Sequence, residues 1–489
     1  MIFCTNEYRK KQHNVVHPMT DVIIIGGGII GNFIAYELSK LELSCLLLEK
    51  ETELSFGVSK SNSGIIHTGF QAEATTLKAR LAVMGNGLYE EIAKKLNFPF
   101  KRIGELIVGF NEEDLATIKD IFENGKKLKI PNMKLVDRLW ISKNEPNLSP
   151  EIKYALLGES AAIINPYETV YALAENAQTN GCKIKCDQKV TSINKTKKGW
   201  EVITSDDIYQ AKYVVNAAGL FADEIAKMAN IKSEAIIPKK GEEFLLDKHA
   251  GLLSKRIIFP VPNKESKGIL VIRTIDDNFM IGPTAETISD KEDLQTSLTG
   301  KEKVLKNVKK LIPSISEKDI IASFSGLRPT TASGDFYIKE DETGFINLIG
   351  IQSPGLTAAP AIALMVKHII LNTKEYPVKP NYEAYRPPVK KVRHLNHKEL
   401  NILIKENPEY GEIVCRCEQI SKGEILDAIR HGAKTLDGIK FRTRSQMGRC
   451  HGTFCTIKIA KIMANELNIP LESITKRGEG SEICYDRKL

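Results

Sequence analysis

A βαβ pattern at residues 21–49 constrains the fold of this chain more than any other feature of its sequence. The run 21–25 is apolar and β-branched, which is typical of a buried parallel strand. The glycines of the next segment, 26–31, have the spacing G-x-G-x-x-G, and a helical run follows them. A second apolar run then ends at Glu49. Strand, glycines, helix, strand and acid in this order predict a dinucleotide-binding unit.

Each of the three glycines has its own role in such a unit. Gly26 makes the tight turn, Gly28 lets the backbone approach a pyrophosphate, and Gly31 lets the helix pack against the strand. The N-terminus of the helix directs its partial positive charge at the phosphates. Glu49, at the end of the second strand, is placed to accept a hydrogen bond from a ribose hydroxyl.

The composition is that of a globular protein with a large core. The 489 residues are 42% apolar and 27% charged, a length that supports about two to four domains. The net charge of +8 comes from scattered lysines, so we expect no nucleic-acid partner and a mild attraction to anionic substrates or anionic lipid. No apolar run approaches the roughly 18 residues that a membrane-spanning helix needs.

The cysteines indicate a reducing compartment. Residues 1–20 lack the apolar segment of a secretory signal, and nine cysteines in a long chain without such a signal suggest metal or redox use. We therefore expect a cytoplasmic protein that makes peripheral contact with the inner face of the membrane.

Two later segments, 213–219 and 345–357, repeat the pattern of a buried strand that ends in small residues. Segments suited to covering a ligand interrupt this pattern, and one of them, 236–325, alternates like an antiparallel sheet with an inserted helix. Such interleaving is typical of FAD-binding folds and rare in nicotinamide-binding ones. We predict an α/β fold in which an FAD-binding, Rossmann-like doubly wound domain is interleaved with an α+β antiparallel-sheet substrate domain, before a small helical C-terminal domain.

The domain boundaries are placed where the pattern changes. The predicted divisions are a flexible extension at 1–18, an FAD-binding domain at 19–75, 155–235 and 326–375, a substrate or cap domain at 76–154 and 236–325, a linker at 376–405, and a C-terminal domain at 406–489.

Local patterns add three details. Asn165 precedes Pro166 and predicts a capped helix that ends near Asn180. Residues 140–150 have the pattern of a proline-containing loop. Three further segments have the pattern of hairpin strands that precede a separate strand at 213–219: these are 183–193, 200–204 and 209–212.

Seven passages taken together resemble a known family: 62–69, 76–81, 100–106, 240–247, 281–285, 326–329 and 353–357. They are similar to the glycine/D-amino-acid oxidase group of FAD-dependent oxidoreductases. Within that group they resemble first the anaerobic-type glycerol-3-phosphate dehydrogenases and next the 2-hydroxyglutarate oxidases. The resemblance and the βαβ pattern together imply FAD contacts at Gly26, Gly28, Ile30, Gly31, Glu49, Lys50, Ser61, Asn62, Ser63, Val190, Ala218, Gly219, Gly355, Leu356 and Thr357.

Four cysteines near the C-terminus form a second motif. Cys415 and Cys417 give C-x-C, and Cys450 and Cys455 follow with four residues between them. The pattern resembles the bacterioferritin-associated-ferredoxin-like (BFD-like) domain, which holds a 2Fe–2S cluster on four thiolates. Four soft ligands suit iron–sulfur or zinc, so a structural zinc site is the alternative, although C-x-C is atypical of zinc ribbons.

The resemblance implies two-electron oxidation of a secondary alcohol, in which a base takes the hydroxyl proton. His67 is the candidate base because imidazole titrates near neutrality; the alternative is that it only bonds the flavin or packs beside it. Arg328 is the candidate cation for an anionic substrate, because guanidinium grips phosphate or carboxylate at two points; the alternative is a salt bridge. Arg273 and Lys240 are further candidate cations on the covering sheet.

Three functions remain open at this stage. The first is oxidation of sn-glycerol 3-phosphate to dihydroxyacetone phosphate, with electrons leaving through the cluster to an accepting partner subunit or carrier. The second is oxidation of L-2-hydroxyglutarate or another 2-hydroxy or amino acid, since anaerobic-type relatives often have a histidine in the strand turn where this chain has Ile275, Asp276, Asp277 and Asn278. The third is a non-catalytic electron-transfer protein.

Overall fold

The computed structural model describes residues 15–262 and 268–485. Most of the predicted extension, 1–14, lies outside the described residues, whereas Val15–Val16 form a short strand. The strands in this part of the chain are β1 Val15–Val16, β2 Thr20–Ile25, β3 Cys45–Leu48, β4 Ile65–Ile66, β5 Phe100–Arg102, β6 Glu105–Gly109, β7 Met133–Asp137, β8 Tyr154–Gly158, β9 Ala162–Ile164, β10 Lys183–Lys185, β11 Val190–Thr196, β12 Gly199–Thr204, β13 Asp207–Asn216, β14 Ile237–Leu246, β15 Ile257–Pro260, β16 Leu270–Arg273, β17 Phe279–Gly282, β18 Glu286–Thr287, β19 Ile320–Thr330, β20 Tyr337–Glu342, β21 Phe345–Ile349, β22 Ile413–Cys415 and β23 Ile420–Ser421.

Helices cover the sheets and form most of the C-terminal domain. Those in the described ranges are α1 Ile29–Ser39, α2 Leu77–Leu96, α3 Glu112–Lys127, α4 Arg138–Asn144, α5 Pro166–Thr179, α6 Ala222–Met228, α7 Leu298–Leu311, α8 Gly355–Leu371, α9 His397–Glu406, α10 Lys422–Arg430, α11 Leu436–Thr443 and α12 Thr456–Leu467. The Asn165 side chain caps α5 by accepting from the Glu168 amide, and Pro166 opens the helix, as predicted.

The first sheet is doubly wound. Its parallel centre has the order β10-β3-β2-β13-β21, and β20 pairs with β21 antiparallel at one edge. Alternate residues of β2 enter opposite cores: Val22 and Ile24 pack with α1, α5 and α8, whereas Ile23 and Ile25 pack with Trp200 and its neighbours on the other face. Burial on both faces explains the continuous apolar run in the sequence.

The second sheet is mostly antiparallel and covers the first. Its order is β18-β14-β17-β16-β15-β6-β8-β7, and β19 pairs along β14 from Ile237↔Thr330 to Leu246↔Ile320. Helix α7 packs its apolar face on this sheet through Val304 and Val308. The predicted fold class, a doubly wound FAD-binding domain interleaved with an antiparallel substrate sheet and followed by a small helical domain, is confirmed.

Three local predictions are wrong. Helix α4 occupies much of the predicted loop 140–150, because the Asp137 side chain caps it by accepting from the Trp140 amide. Strand β10 is not a hairpin arm but pairs parallel with β3 at the sheet edge. Residues 209–212 and the strand after them form one continuous strand, β13, whose first half pairs with β12 and whose second half lies between β2 and β21.

Two of the predicted domain boundaries fall inside strands of the structure. Positions 155 and 326 lie inside β8 and β19, which both belong to the second sheet. The predicted linker 376–405 contains most of α9 and packs on the FAD-binding side, where Arg386 pairs with Glu175 at 2.5 Å.

A buried group of four charges joins the C-terminal domain to the substrate sheet. Asp276, in the turn after β16, accepts from Arg393 at 2.8 Å and from Arg444 at 2.7 Å. Both arginines also bond Glu418, at 3.4 and 3.1 Å. Burial acts to raise the pKa of Asp276, but the charges of Arg444 and Arg393 outweigh it and hold that pKa below its ordinary value. We name these four residues the docking quartet.

Other contacts join the same domain to the FAD-binding side. Arg442 donates to the buried Glu53 carboxylate at 2.8 Å, and Phe441 meets the ring of Phe56 edge-on, with centroids 5.7 Å apart. Arg449 pairs with Asp247 of the substrate sheet at 2.5 Å. The C-terminal domain therefore contacts both the doubly wound sheet's side and the antiparallel sheet, which together we call the flavoprotein body after the predicted cofactor.

Replacing the quartet's carboxylate with its amide, Asp276→Asn, should loosen the C-terminal domain. Breaking a buried ion pair by removing one charge costs about 3–5 kcal/mol, and the amide retains hydrogen-bonding atoms, so we expect a loss of about 3 kcal/mol. Urea unfolding monitored through the C-terminal domain measures this loss as a lower midpoint.

The neighbouring change Asp277→Asn is the matched control, since Asp277 is 64% exposed and pairs only at the surface with Arg273. Because the folded pKa of Asp276 is lowered, its contribution is present above its ordinary pKa of about 3.9 and is lost as the pH falls below that value. The difference in urea unfolding midpoint between Asp276→Asn and the unmodified protein should therefore disappear in acid. Equal midpoints for the two variants at neutral pH would contradict the expectation.

Candidate functional site

A cavity of about 580 Å³ lies between the two sheets. We call it the central cavity. His67 and Arg328 both line it. Twelve of the predicted FAD contacts also line it: Gly26, Gly28, Ile30, Glu49, Lys50, Ser61, Asn62, Ser63, Ala218, Gly219, Gly355 and Leu356. The cavity volume lies in the range of small-molecule and cofactor sites.

Three predicted FAD contacts do not line the central cavity. Gly31 packs α1 on β2, because a Cβ there would lie 2.0 Å from the Gly26 carbonyl oxygen. Val190 is buried in the core on the far face of the first sheet. Thr357 is fully buried behind the cavity wall, where its hydroxyl accepts from the His67 amide at 3.0 Å.

The turn after β2 brings backbone to the cavity. Gly26 has φ +114°, and a Cβ on it would lie 2.4 Å from the Ala217 carbonyl oxygen, so glycine is required. Gly28 precedes α1 with φ −76°, a conformation open to other residues. The turn thus presents a bare backbone cradle at the N-terminus of α1, as a pyrophosphate requires.

Glu49 braces this cradle. Its carboxylate accepts from the Gly27 amide at 2.6 Å and from the Glu51 amide at 2.9 Å. Burial raises the pKa of Glu49, and the two amide hydrogen bonds oppose that rise. A carboxylate held in this way at the end of β3 is a fixed acceptor on the cavity wall, which fits a ribose hydroxyl.

The loop before β4 follows the cavity wall. Asn62 is its brace, because its amide group donates to the Val58 and Ser59 carbonyls at 3.1 and 2.7 Å and accepts from the Gly64 amide at 2.9 Å. Ser59 also accepts from the Ile29 amide at 2.8 Å and so ties the loop to α1. The loop therefore presents a preformed surface to a flat ring system.

His67 is held in position through its backbone and backed by a carboxylate. Its amide donates to Thr357, and its carbonyl accepts from Asn86 at 2.8 Å. The Nδ1 atom lies 3.6 Å from the Oε2 atom of Glu105, which is buried. The ring of Phe259 stands 5.8 Å away. An imidazole with an acid behind it on a cavity wall is arranged to accept a proton.

Arg328 also lines the central cavity, next to an acid that the sequence analysis missed. Arg328 donates to the Thr284 carbonyl at 3.4 Å. Burial lowers the pKa of Arg328, and the nearby Glu243 carboxyl opposes that change. Glu243 is buried, and its Oε1 accepts from the Ser63 hydroxyl at 2.5 Å. No hydrogen-bond partner is found for its Oε2 among the described residues.

The carboxyl of Glu243 sits in an environment that disfavours its charge. Burial raises its pKa, and the Ser63 hydrogen bond and the Arg328 charge oppose that rise. Strand alternation could have pointed to this residue, since Lys239, Gly241 and Glu243 share the cavity-facing side of β14. Lys240 instead points away and pairs with Asp293 at 2.7 Å.

The further candidate cations are absent from the cavity wall. Arg273 pairs with Asp277 at 2.7 Å, and neither it nor Lys240 lines the central cavity. Of the three cations considered, Arg328 alone lies there.

The four cysteines come together as two pairs. The Cys417 and Cys450 sulfurs lie 3.4 Å apart, and Cys415 is hydrogen-bonded to Cys455. The hydrogen bond from Cys455 lowers the pKa of Cys415 to about 6. Within the described residues, no three His, Cys, Asp or Glu side chains converge on a point that could hold one metal ion. Two thiol pairs match a binuclear cluster, in which each iron takes two thiolates.

Comparison with known proteins identifies both cofactor domains. The family model "FAD dependent oxidoreductase" matches residues 21–369, and the model "BFD-like [2Fe-2S] binding domain" matches residues 413–465. The chain belongs to the FAD-dependent oxidoreductase family. It is an enzyme of that family, and its cofactors are FAD and a 2Fe–2S cluster, as predicted.

Two relatives with named activities are similar to this chain over most of their own length. A glycerol 3-phosphate dehydrogenase of Caloramator mitchellensis is 41% identical over 470 residues, which cover 95% of this chain and 98% of that protein. A glycerol 3-phosphate oxidase of Mycoplasma genitalium is 33% identical and matches 70% of this chain and 92% of its own.

A solved structure shares the fold of the flavoprotein body. It is the dithionite-reduced L-α-glycerophosphate oxidase of Mycoplasma pneumoniae with FAD bound, which is 32% identical with a TM-score of 0.72. The match covers 76% of this chain and all of that one. Across the described residues, no helix has the length and apolar character needed to cross a membrane.

Adding one methyl group to the cradle, Gly28→Ala, should weaken FAD binding without unfolding the protein. A Cβ on Gly28 meets the Ser59 hydroxyl at 3.1 Å and no other described atom within 4 Å, but it occupies the cavity side of the turn. We expect FAD affinity to fall at least about tenfold, because the pyrophosphate needs close backbone approach. Titration of the deflavinated protein with FAD measures it.

The matched control is Gly87→Ala on α2, where a Cβ meets no described atom within 4 Å and where alanine favours the helix. FAD affinity should stay unchanged in this control, and both variants should unfold at temperatures close to that of the unmodified apoprotein. An unchanged affinity in Gly28→Ala would show that the pyrophosphate does not lie over this turn.

Proposed function

We propose that the protein oxidises sn-glycerol 3-phosphate to dihydroxyacetone phosphate and passes the electrons through its 2Fe–2S cluster to an accepting protein. The observation that carries the proposal is the placement of His67 and Arg328 on the wall of one cavity that also contains the FAD cradle. A base and a cation are the two groups that oxidation of a small anionic alcohol requires of the chain. The 41% identity to a glycerol 3-phosphate dehydrogenase supports the same substrate.

The chain's part in the proposed reaction is to orient the alcohol and remove a proton. The C–H and O–H bonds of the secondary alcohol break while a C=O bond forms, so a hydride and a proton must leave. Bound FAD supplies the two-electron acceptor, at its N5 atom. His67 takes the hydroxyl proton, and the Glu105 carboxylate, 3.6 Å from its Nδ1 atom, stabilises the imidazolium that results.

Arg328 is assigned to the phosphate of the substrate. Its guanidinium is largely removed from water, so a charge-assisted bond to a dianion is stronger there than at a surface. The same wall holds the Glu243 carboxyl, whose Oε2 lacks a hydrogen-bond partner among the described residues. A substrate hydroxyl suits this acid, whereas a second substrate carboxylate would be repelled by it when it is ionised.

This pairing of cation and acid favours glycerol 3-phosphate over L-2-hydroxyglutarate, which has two carboxylates and no terminal hydroxyl. The L-2-hydroxyglutarate dehydrogenases among the relatives are also more distant, for example 26% identical in Nematostella vectensis. We further propose that the twelve predicted residues on the cavity wall contact FAD, whereas Gly31, Val190 and Thr357 act through packing.

We also propose a cytoplasmic location, which a cluster held on cysteine thiolates supports, because free thiolates persist in reducing compartments. A 2Fe–2S cluster takes one electron at a time, so each substrate oxidised sends two electrons in sequence to the partner. The net charge of +8 supports peripheral contact with anionic lipid at the inner face of the membrane.

The proposal is tested by adding sn-glycerol 3-phosphate to the oxidised holoenzyme without oxygen. Loss of the flavin's visible absorbance and formation of dihydroxyacetone phosphate are expected. L-2-hydroxyglutarate, glycine and a D-amino acid serve as comparison substrates. If one of these bleaches the flavin and glycerol 3-phosphate does not, the proposed substrate is wrong.

Removing the base, His67→Asn, should slow the reaction while FAD stays bound. Loss of a general base typically costs 10²–10⁴-fold, so we expect kcat to fall by roughly that factor. His249→Asn, an exposed histidine on the substrate sheet's loop, is the control and should keep full activity. Steady-state rates are compared at equal flavin content. A His67→Asn enzyme within threefold of the unmodified rate would assign proton removal to another group.

Neutralising the cation, Arg328→Gln, should weaken substrate binding more than it slows turnover. Hydrogen bonds to charged groups are worth about 1.5–3 kcal/mol, so losing the guanidinium should raise KM about 100-fold. Arg80→Gln, at an exposed position on α2, is the control. The variant with lysine, Arg328→Lys, should recover part of the affinity because it keeps the charge but not the two-point grip. Unchanged KM in Arg328→Gln would remove it from the binding site.

A further inference from the structure

The two thiol pairs of the cluster domain differ in their access to solvent. Cys415 and Cys455 are each only 1% exposed, whereas Cys417 is exposed and Cys450 is half-buried. This difference holds with the whole described chain in place, since the domain is already docked on the flavoprotein body. One edge of the cluster, beside Cys417 and Cys450, therefore faces outward.

The inward side of the same domain is occupied. Arg444 of the docking quartet, Arg442 and Phe441 all contact the flavoprotein body. An accepting protein thus cannot approach from that side without undocking the domain. The exposed thiol pair is the part of the cluster that a partner can reach.

Two exposed apolar side chains lie close to these cysteines in the sequence. Phe454, between Cys450 and Cys455 in the sequence, is 75% exposed, and Ile457 in the first turn of α12 is 47% exposed. Fully exposed aromatic rings are unfavourable in water, and exposed apolar groups ringed by polar ones mark protein contacts.

Cations flank the apolar residues. Arg416 lies between the first two cysteines, and Lys458 and Lys461 lie on the exposed side of α12. All three side chains are exposed to solvent. Exposed cations around a redox edge attract an acidic partner and raise its association rate.

We propose that Arg416, Phe454, Ile457, Lys458 and Lys461 form a docking surface for an acidic one-electron carrier protein, which draws electrons from the cluster over Cys417 and Cys450. In each transfer the reduced cluster loses one electron and the carrier gains one, so two carriers are reduced for each substrate oxidised. The inference rests on the proposed function for the source of the electrons, but the binding itself does not depend on the substrate.

Two haem proteins of opposite charge serve as probes: cytochrome b5, which is acidic, and cytochrome c, which is basic. Binding of each to the full-chain holoenzyme is measured by calorimetry at low and at moderate salt. The acidic probe should bind more tightly than the basic one, and salt should weaken its binding. Tighter binding of cytochrome c, or binding of cytochrome b5 that salt does not affect, would overturn the proposal.

Two variants locate the surface. Lys458→Glu should weaken cytochrome b5 binding at least about tenfold by reversing a charge, and Phe454→Ser should weaken it by removing the apolar contact. Lys303→Glu, the same charge reversal at an exposed position on α7, is the control and should bind normally. The visible spectrum of the cluster verifies that each variant is loaded and folded. Equal affinities in all three variants would place the contact elsewhere.

Electron transfer gives a second readout. Holoenzyme reduced by dithionite and freed of excess reductant is mixed with oxidised cytochrome b5, and haem reduction is followed. The rate should fall in Lys458→Glu and Phe454→Ser but not in Lys303→Glu. Failure of sn-glycerol 3-phosphate to bleach the flavin would contradict the proposed function only, whereas unchanged rates in both surface variants would contradict the docking surface only.

Discussion

The close meeting of three strand ends at the Gly26 turn is the constraint on which the rest of the molecule depends. The Gly26 amide donates to the Leu48 carbonyl at 2.8 Å, and the Ala217 amide donates to the Ile25 carbonyl at 3.0 Å. Only a residue without a side chain fits between them, because a Cβ on Gly26 would collide with the Ala217 carbonyl. This contact brings the cradle, Glu49 and the 217–219 segment to one edge of the sheet, which is where ligands bind in doubly wound folds.

The covering sheet turns that edge into a reaction site. It brings Arg328 and Glu243 to the same cavity that the cradle and His67 line. Removal from water strengthens each charge interaction in such a cavity. The same removal raises the pKa of Glu243, which lines this cavity together with Arg328. In the proposed reaction, this pair of acid and cation favours a phosphate with a hydroxyl over a dicarboxylate.

The turn 275–278, in which the resembling anaerobic-type proteins often have a histidine, has a structural role in this chain. Asp276 of this turn binds two arginines, which come from the predicted linker and from the C-terminal domain. A histidine there could not compensate those two positive charges. The turn therefore joins the substrate sheet to the cluster domain.

The sequence by itself determined the features whose partners lie close along the chain: the βαβ cradle, the Asn165 cap and the C-x-C motif. Periodicity, capping and ligand spacing act over a few residues, so they can be recognised without the fold. Only the tertiary structure decided that β13 is one strand that pairs with β12 in its first half and with β2 and β21 in its second. It also decided that Val190 lies in the far core, that Glu243 lines the cavity and that Asp276 binds two arginines. Those outcomes depend on contacts between residues that are far apart in the chain, such as Asp276 with Arg444, and local patterns contain no information about which distant side chain supplies the opposite charge.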